Sequence, residues 1–365
     1  MEVVCVTFAR TVMQNIETIA PPSLAEPWDN CGLQAGDPSA RTSRVLVALT
    51  PLPEVFDEAE EKEADFLLFH HPLIFGGLES VDISSYPGGL LARAIRSGLT
   101  VYAAHTSYDA APGGVSVALA ETLRLEGPLK VVAPRGGLRK LVVFVPEDDV
   151  EAVADALSEA GAGGIGDYTR CTFRTPGTGT FLGGEGSKPH LGEKGRLERV
   201  AEVRLETVVP EHLARKAAAA VIATHPYEET ALDIHPLHGH PEGCGYGRVG
   251  TLTHSMTPEE LRGHVSERLG FPARLAADPE PGRRVERIAV LGGSGGSFIR
   301  EVAATDAEAY VTGDLDYHDA LLAESLGLTA IDAGHAATEL PCLEPFARRL
   351  AERMDVPVEV SRARR

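Results

Sequence analysis

The chain of 365 residues has no Cys-X-X-Cys pair. Its five cysteines, Cys5, Cys31, Cys171, Cys244 and Cys342, are scattered and odd in number. That spacing excludes a zinc-finger framework and suits reduced thiols better than a disulfide scaffold. Positive charge is scarce too, with 34 Lys and Arg against 53 Asp and Glu and a formal net charge of -19. Such a balance argues against nucleic acid or an anionic membrane as partner, because both need clustered cations to displace counterions. The basic ending Ser361-Arg362-Ala363-Arg364-Arg365 is short and reads as a solvated tail. No basic leader opens the chain and no apolar run is long enough to span a bilayer, so a cytoplasmic protein is expected. Trp28 is the single tryptophan. Glycine and proline are abundant, but they lie in turns and form no low-complexity tract. The length favours two domains over one large α/β unit.

What the chain does have is polar residues at strand ends. The apolar run Phe66-Leu67-Leu68-Phe69 closes in His70-His71-Pro72 before Gly76-Gly77. Consecutive strand side chains diverge, but a terminus ahead of proline can turn both imidazoles into one cavity, where open α/β sheets place ligands. A second strand, 100–104, ends in His105-Thr106-Ser107-Tyr108-Asp109. Here Asp109 reads either as a donor beside imidazoles or as the cap of a helix over 114–123. A third, 328–331, runs into Asp332-Ala333-Gly334-His335, with Glu339 four residues on. A helix starting at His335 would put these two on one face.

Around these ends the order is that of a sheet covered by helices. The pattern gives a helix over 7–20, strand 44–49, helix 53–63, strand 65–69 and helix 88–97. Trp28-Asp29-Asn30-Cys31-Gly32-Leu33 is a compact turn in which Asp29 could support the site or merely shape the loop. From about residue 125 the texture changes. Strand 140–145, helix 147–160, strand 168–173, a glycine-rich hairpin, strand 198–207, helix 210–223 and strand 230–236 follow the ferredoxin-like order. This predicts an inserted α+β domain at 129–245 within an α/β core of 1–128 plus 246–365. The insertion holds His225, His235, His238 and His240, which alternation in a half-exposed strand explains about as well as metal does. In the core, strand 285–291 meets Gly292-Gly293-Ser294-Gly295-Gly296-Ser297. That loop suits either an anion at the following helix or close helix–strand packing; it lacks the last glycine of a dinucleotide fingerprint and the Walker lysine.

Four histidines and two carboxylates at three strand ends are too many for one tetrahedral ion and suit two divalent metals. Hydrolysis through a metal-bridging hydroxide is the natural reaction class. The Trp28–Leu33 stretch, Phe69-His70-His71-Pro72-Leu73, the 105–109 motif, the glycine loop, Thr312-Gly313-Asp314 with His318, and Gly334-His335-Ala336-Ala337-Thr338-Glu339 together resemble the Nif-three-like family, whose members carry the name GTP cyclohydrolase I type 2 homologue. His225-Pro226-Tyr227-Glu228-Glu229 resembles the inserted domain of its longer bacterial members, similar to PII and CutA. The resemblance implies a Nif-three-like two-lobed core, dinuclear ligands at His70, His71, Asp109, His335 and Glu339, and toroidal hexamers.

The expectation is a metal-dependent hydrolase using two Zn, Mn or Fe ions. His318 or His105 would be its proton donor, and GTP or another phosphorylated small molecule its candidate substrate. The alternative is a non-catalytic metal-binding regulator or scaffold whose inserted domain senses a ligand.

Overall fold

The computed structural model describes residues 6–363. They form two compact units, 6–135 with 243–363 and Gly136–Glu242. The expected start of the insertion, 129, falls within strand Leu125–Pro134, which pairs antiparallel with Gly245–Met256 and so stays in the core.

The core holds two mixed α/β sheets. In the five-stranded sheet the order is Val358–Val360, Val45–Ala48, Phe66–Phe69, Thr100–Ala103 and Gly32–Ala35. The first four are parallel and the last antiparallel. Val45–Ala48, Phe66–Phe69 and Thr100–Ala103 are buried throughout, as parallel strands covered on both faces must be, and their unbroken apolar runs reflect that. The six-stranded sheet is ordered Arg274–Ala277, Thr329–Asp332, Ala309–Gly313, Val285–Ser294, Gly245–Met256 and Leu125–Pro134, with its parallel pairs in the middle. One buried cluster links the sheets through Val45, Phe66, Tyr108, Leu291 and Phe346. Tyr108 stacks on Phe346 with ring centroids 4.0 Å apart.

Helix Ala9–Ile19 buries Ala9, Val12, Ile16 and Ile19 on one face. The helix starts two residues later than the expected 7, since Thr7–Phe8 is a short strand paired with Arg41–Thr42. The tail also departs from expectation. Strand Val358–Val360 lies beside Val45–Ala48 and delivers Ser361, buried, to the Glu58 carboxylate, where the Arg362 backbone N–H also donates. Arg364 and Arg365, like Cys5, lie outside the described residues. Cys31, Cys171, Cys244 and Cys342 are free thiols. No helix among the described residues is long and apolar enough to cross a membrane.

The second unit is one antiparallel sheet in the order Leu232–Leu237, Leu138–Pro146, Leu197–Pro210, Thr172–Leu182. Helices Val150–Glu159 and Glu211–Thr224 bring Leu157 and Val221 to a core shared with Val143 and Leu205 of the sheet. The two β-α-β halves interleave, each strand pair of one half flanking a strand of the other. Gly177 and Gly179, expected in a hairpin, lie inside Thr172–Leu182, because pairing with Leu197–Pro210 overrides their poor strand propensity.

Candidate metal centre

The carboxyl ends of both core sheets open on one cleft of about 640 Å³. His70 and His71 follow strand Phe66–Phe69, and His105 precedes the short helix Thr106–Asp109 that ends in Asp109. His335 and Glu339 are the first and last residues of helix His335–Glu339. Donor atoms of His70, His71 and His105 lie within 4.8 Å of one another, as do those of His71, His335 and Glu339. His71 is common to both groups. Glu339 is their hub: its Oε2 is 2.9 Å from His71 Nε2, and its Oε1 is 3.2 Å from His335 Nε2 and 3.5 Å from His70 Nε2. Asp109 Oδ1 stands 3.6 Å from His70 Nε2.

Each imidazole is held by its other nitrogen. Nδ1 of His70 meets the Ala104 carbonyl at 3.0 Å and that of His71 the Thr50 hydroxyl at 3.0 Å. Nδ1 of His105 meets Asp29 at 2.9 Å and that of His335 meets Asp314 at 2.7 Å. An acceptor behind Nδ1 fixes the ring and leaves the Nε2 lone pair for the cleft, the arrangement that metal-binding histidines use. Asp29 also accepts from the Thr106 backbone and hydroxyl and from the Cys31 thiol. Burial would raise its pKa, but these bonds outweigh it and hold the carboxyl well below the usual range.

The glycine loop serves packing, the second of its two readings. At Gly293, with φ +74°, a Cβ would come 2.5 Å from Glu339 Oε1, and one at Gly313 would come 2.7 Å from the His335 backbone nitrogen. The Gly293 N–H instead donates to Thr338 Oγ1 at 3.0 Å, which sets Glu339 against the strand.

The electrostatics is that of a site short of positive charge. Burial alone would lower His70, but Asp109 and Glu339 outweigh it and raise its pKa to about 9. His335 rises to about 9 through its bond to Glu339, with Asp314 adding to it. Burial lowers His71. For Glu339 burial is outweighed by His70, His335 and His71, which keep it ionised far below the usual carboxylate range. Burial pushes Asp109 up to about 6. His70 Nε2 and Asp109 Oδ1 are buried with no hydrogen-bond partner. Buried polar atoms are rarely left so, and an imidazole–carboxylate donor set with two orphaned members fits a divalent transition metal.

The sequence profile of the family Duf34/NIF3 (NGG1p interacting factor 3) matches residues 8–365. The chain belongs to the DUF34/NIF3 family. It is 42% identical over 332 residues to a Bacillus subtilis protein named GTP cyclohydrolase 1 type 2 homolog, covering 90% of this chain and 88% of that one. Among solved structures, a Bacillus cereus protein related to NIF3 superposes with TM-score 0.87 at 38% identity, over 98% of this chain and 97% of that one. A Staphylococcus aureus protein gives TM-score 0.73 at 28% identity over the same shares.

In this DUF34/NIF3 chain the five residues His70, His71, Asp109, His335 and Glu339 are thus brought to one cleft. His105 joins them from the second strand end, the one that also supplies Asp109. His318 does not: it is exposed at the second position of helix Tyr317–Ser325 and is not part of the cleft lining. Asp316 caps that helix in a capping box with Asp319, which accounts for the polar cluster around His318. Asp109 caps no helix, since Val115–Thr122 starts from Gly114. The supporting Thr50 carried no signal in the sequence. Asp314 did, as part of the Thr312-Gly313-Asp314 motif that carries the family resemblance, and it adopts φ +54° where its carboxylate meets His335.

Proposed function

We propose that the cleft holds two divalent metal ions, zinc, manganese or iron, and that the protein is a metal-dependent hydrolase of a small phosphorylated or nucleotide compound, GTP among the candidates. His70, His71, Asp109, His335 and Glu339 would hold the ions. The observation that carries this reading is the pair of orphaned atoms, His70 Nε2 and Asp109 Oδ1, amid imidazoles that all keep Nδ1 occupied elsewhere. Bound ions supply Lewis acidity and make water a nucleophile near neutral pH. The chain's own part is to keep four rings in one tautomer and exclude competing donors. His105, backed by Asp29, presents an Nε2 lone pair that would take a proton from an attacking water and then pass it to the leaving group.

Elemental analysis of wild type and Glu339→Ala, both checked by circular dichroism, tests this. About two equivalents in the wild type and loss in a folded variant support it, and release of product from nucleotides or phosphate esters then decides hydrolysis. A wild type that takes up no metal ends the proposal.

A regulatory reading draws on the inserted unit, whose split β-α-β order supports a ferredoxin-like, PII/CutA-like domain. It contains a cavity of about 480 Å³ lined in part by Phe181, Glu202 and Tyr227, suited to a sensed ligand. The proposed hexamer draws on the family resemblance, and the proposed cytoplasmic location on the scattered, odd-numbered cysteines.

A further inference from the structure

Trp28 and Phe75 expose 60% and 68% of their surface at the rim of the cleft. Their ring centroids are 6.1 Å apart with planes at 60°. The His105 ring stands edge-on to both, 6.3 Å from Trp28 and 6.4 Å from Phe75. Large apolar rings left open beside a polar site mark a binding surface. Both are also pinned next to their own backbone. Asp29, the neighbour of Trp28, is fixed by His105 and Thr106. Ile74, the neighbour of Phe75, gives its carbonyl to Asn30 Nδ2 at 2.7 Å and its N–H to Gln34 Oε1 at 3.0 Å. Asn30 and Gln34 thereby tie one aromatic loop to the other.

We infer that Trp28 and Phe75 form a preorganised corner that holds a planar heteroaromatic ring of the substrate, leaving a polar substituent to reach the histidine–carboxylate cluster. The inference rests on the cleft being the hydrolytic site and names the substrate class for it. Two features of the lining select a ring over the alternatives. No lysine or arginine lines the cleft, so a phosphate group by itself meets no cationic side chain there beyond the imidazoles of the cluster. Its aliphatic contribution is limited to Leu291 and Pro72, too little for a lipid or an aliphatic chain. The volume of about 640 Å³ is that of a small-molecule site.

The single tryptophan makes the test direct. Emission of Trp28, excited at the red edge of tryptophan absorption, is followed while the full-length protein is titrated with guanosine monophosphate, ribose 5-phosphate or inorganic phosphate. Saturable quenching by the nucleotide alone supports the inference, as does a loss of affinity of roughly tenfold or more in Phe75→Ala, the effect of removing one stacking partner, with recovery in Phe75→Tyr. An equal response to ribose 5-phosphate, no response to the nucleotide, or unchanged affinity in Phe75→Ala overturns it. So does light scattering that shows Phe75→Ala dissociating an assembly, because the rings then belong to an interface between copies. Metal content is measured on the same samples. A metal-free wild type that still shows ring-dependent quenching defeats the hydrolase reading and keeps the corner; full metal content without quenching does the reverse.

Discussion

Two regions of this molecule are rich in histidine, and among the described residues only one groups its donors so that they could hold a metal. In the core cleft four imidazoles are anchored through Nδ1 and converge through Nε2, and two buried atoms find no partner. In the inserted unit the buried histidine, His225, is satisfied at both nitrogens. Its Nε2 meets the Phe144 carbonyl at 2.9 Å, and its Nδ1 accepts the Tyr227 N–H at 3.1 Å. His235, His238 and His240 are exposed, and His240 spends Nδ1 on the Gly136 carbonyl. Histidine count does not separate the two regions; unspent lone pairs aimed at one point do.

The sharpest way to break that contrast is to exchange the losses. Glu339→Gln is expected to empty the cleft of metal, whereas His235, His238 and His240 changed together to alanine leave elemental content at the wild-type level; metal loss in the triple variant would erase the distinction. Next in size, Asp314→Asn keeps the shape behind His335 but removes the charge, and metal affinity by competition with a chelator should fall roughly 10–100-fold. His225→Ala leaves the Phe144 carbonyl and the Tyr227 N–H unpaired, so the inserted unit should lose about 1–3 kcal/mol in urea unfolding with metal content unchanged.

The smallest effect is a pH slope. His70 and His335 hold protons in the folded state up to about 9, against about 6.5 when unfolded. Between these values the folded chain binds more protons, so metal-free protein loses stability as pH rises through that window. Metal, taking the place of those protons, should flatten the melting-temperature profile over that window. A metal-free profile flat from about 6.5 to about 9 would mean the two imidazoles carry no extra protons.

Most of the cleft was legible because its donors sit at ends of strongly apolar strands, where period and punctuation agree. The helix at His335 begins where the four-residue spacing to Glu339 required. What escaped was set by tertiary contact. Strand Leu125–Pro134 contains Gly127 and Pro128, which disfavour strands, and is tolerated because it is the edge of its sheet. Thr50 is an ordinary turn residue until folding sets it behind His71. His318 carried the right chemistry on a helix whose start faces solvent. The tail looked solvated by charge alone, yet the preceding three-residue strand delivers it to the buried Glu58.

The strand Val358–Val360 and the Glu339 hub also govern when the site can come into being. Glu339 meets His71 across 268 positions, and strand Val358–Val360 of the five-stranded sheet is made later than Glu339. During synthesis the inserted unit, contiguous from Gly136 to Glu242, is complete while the cleft still lacks two of its six donors, His335 and Glu339. Domains generally fold as units as they emerge, so a growing chain offers the cell's metal pool only a partial set of ligands. An ion entering the cleft would thus meet its whole ligand set only after Glu339 has emerged, which would make metal capture a late step in the folding of the core.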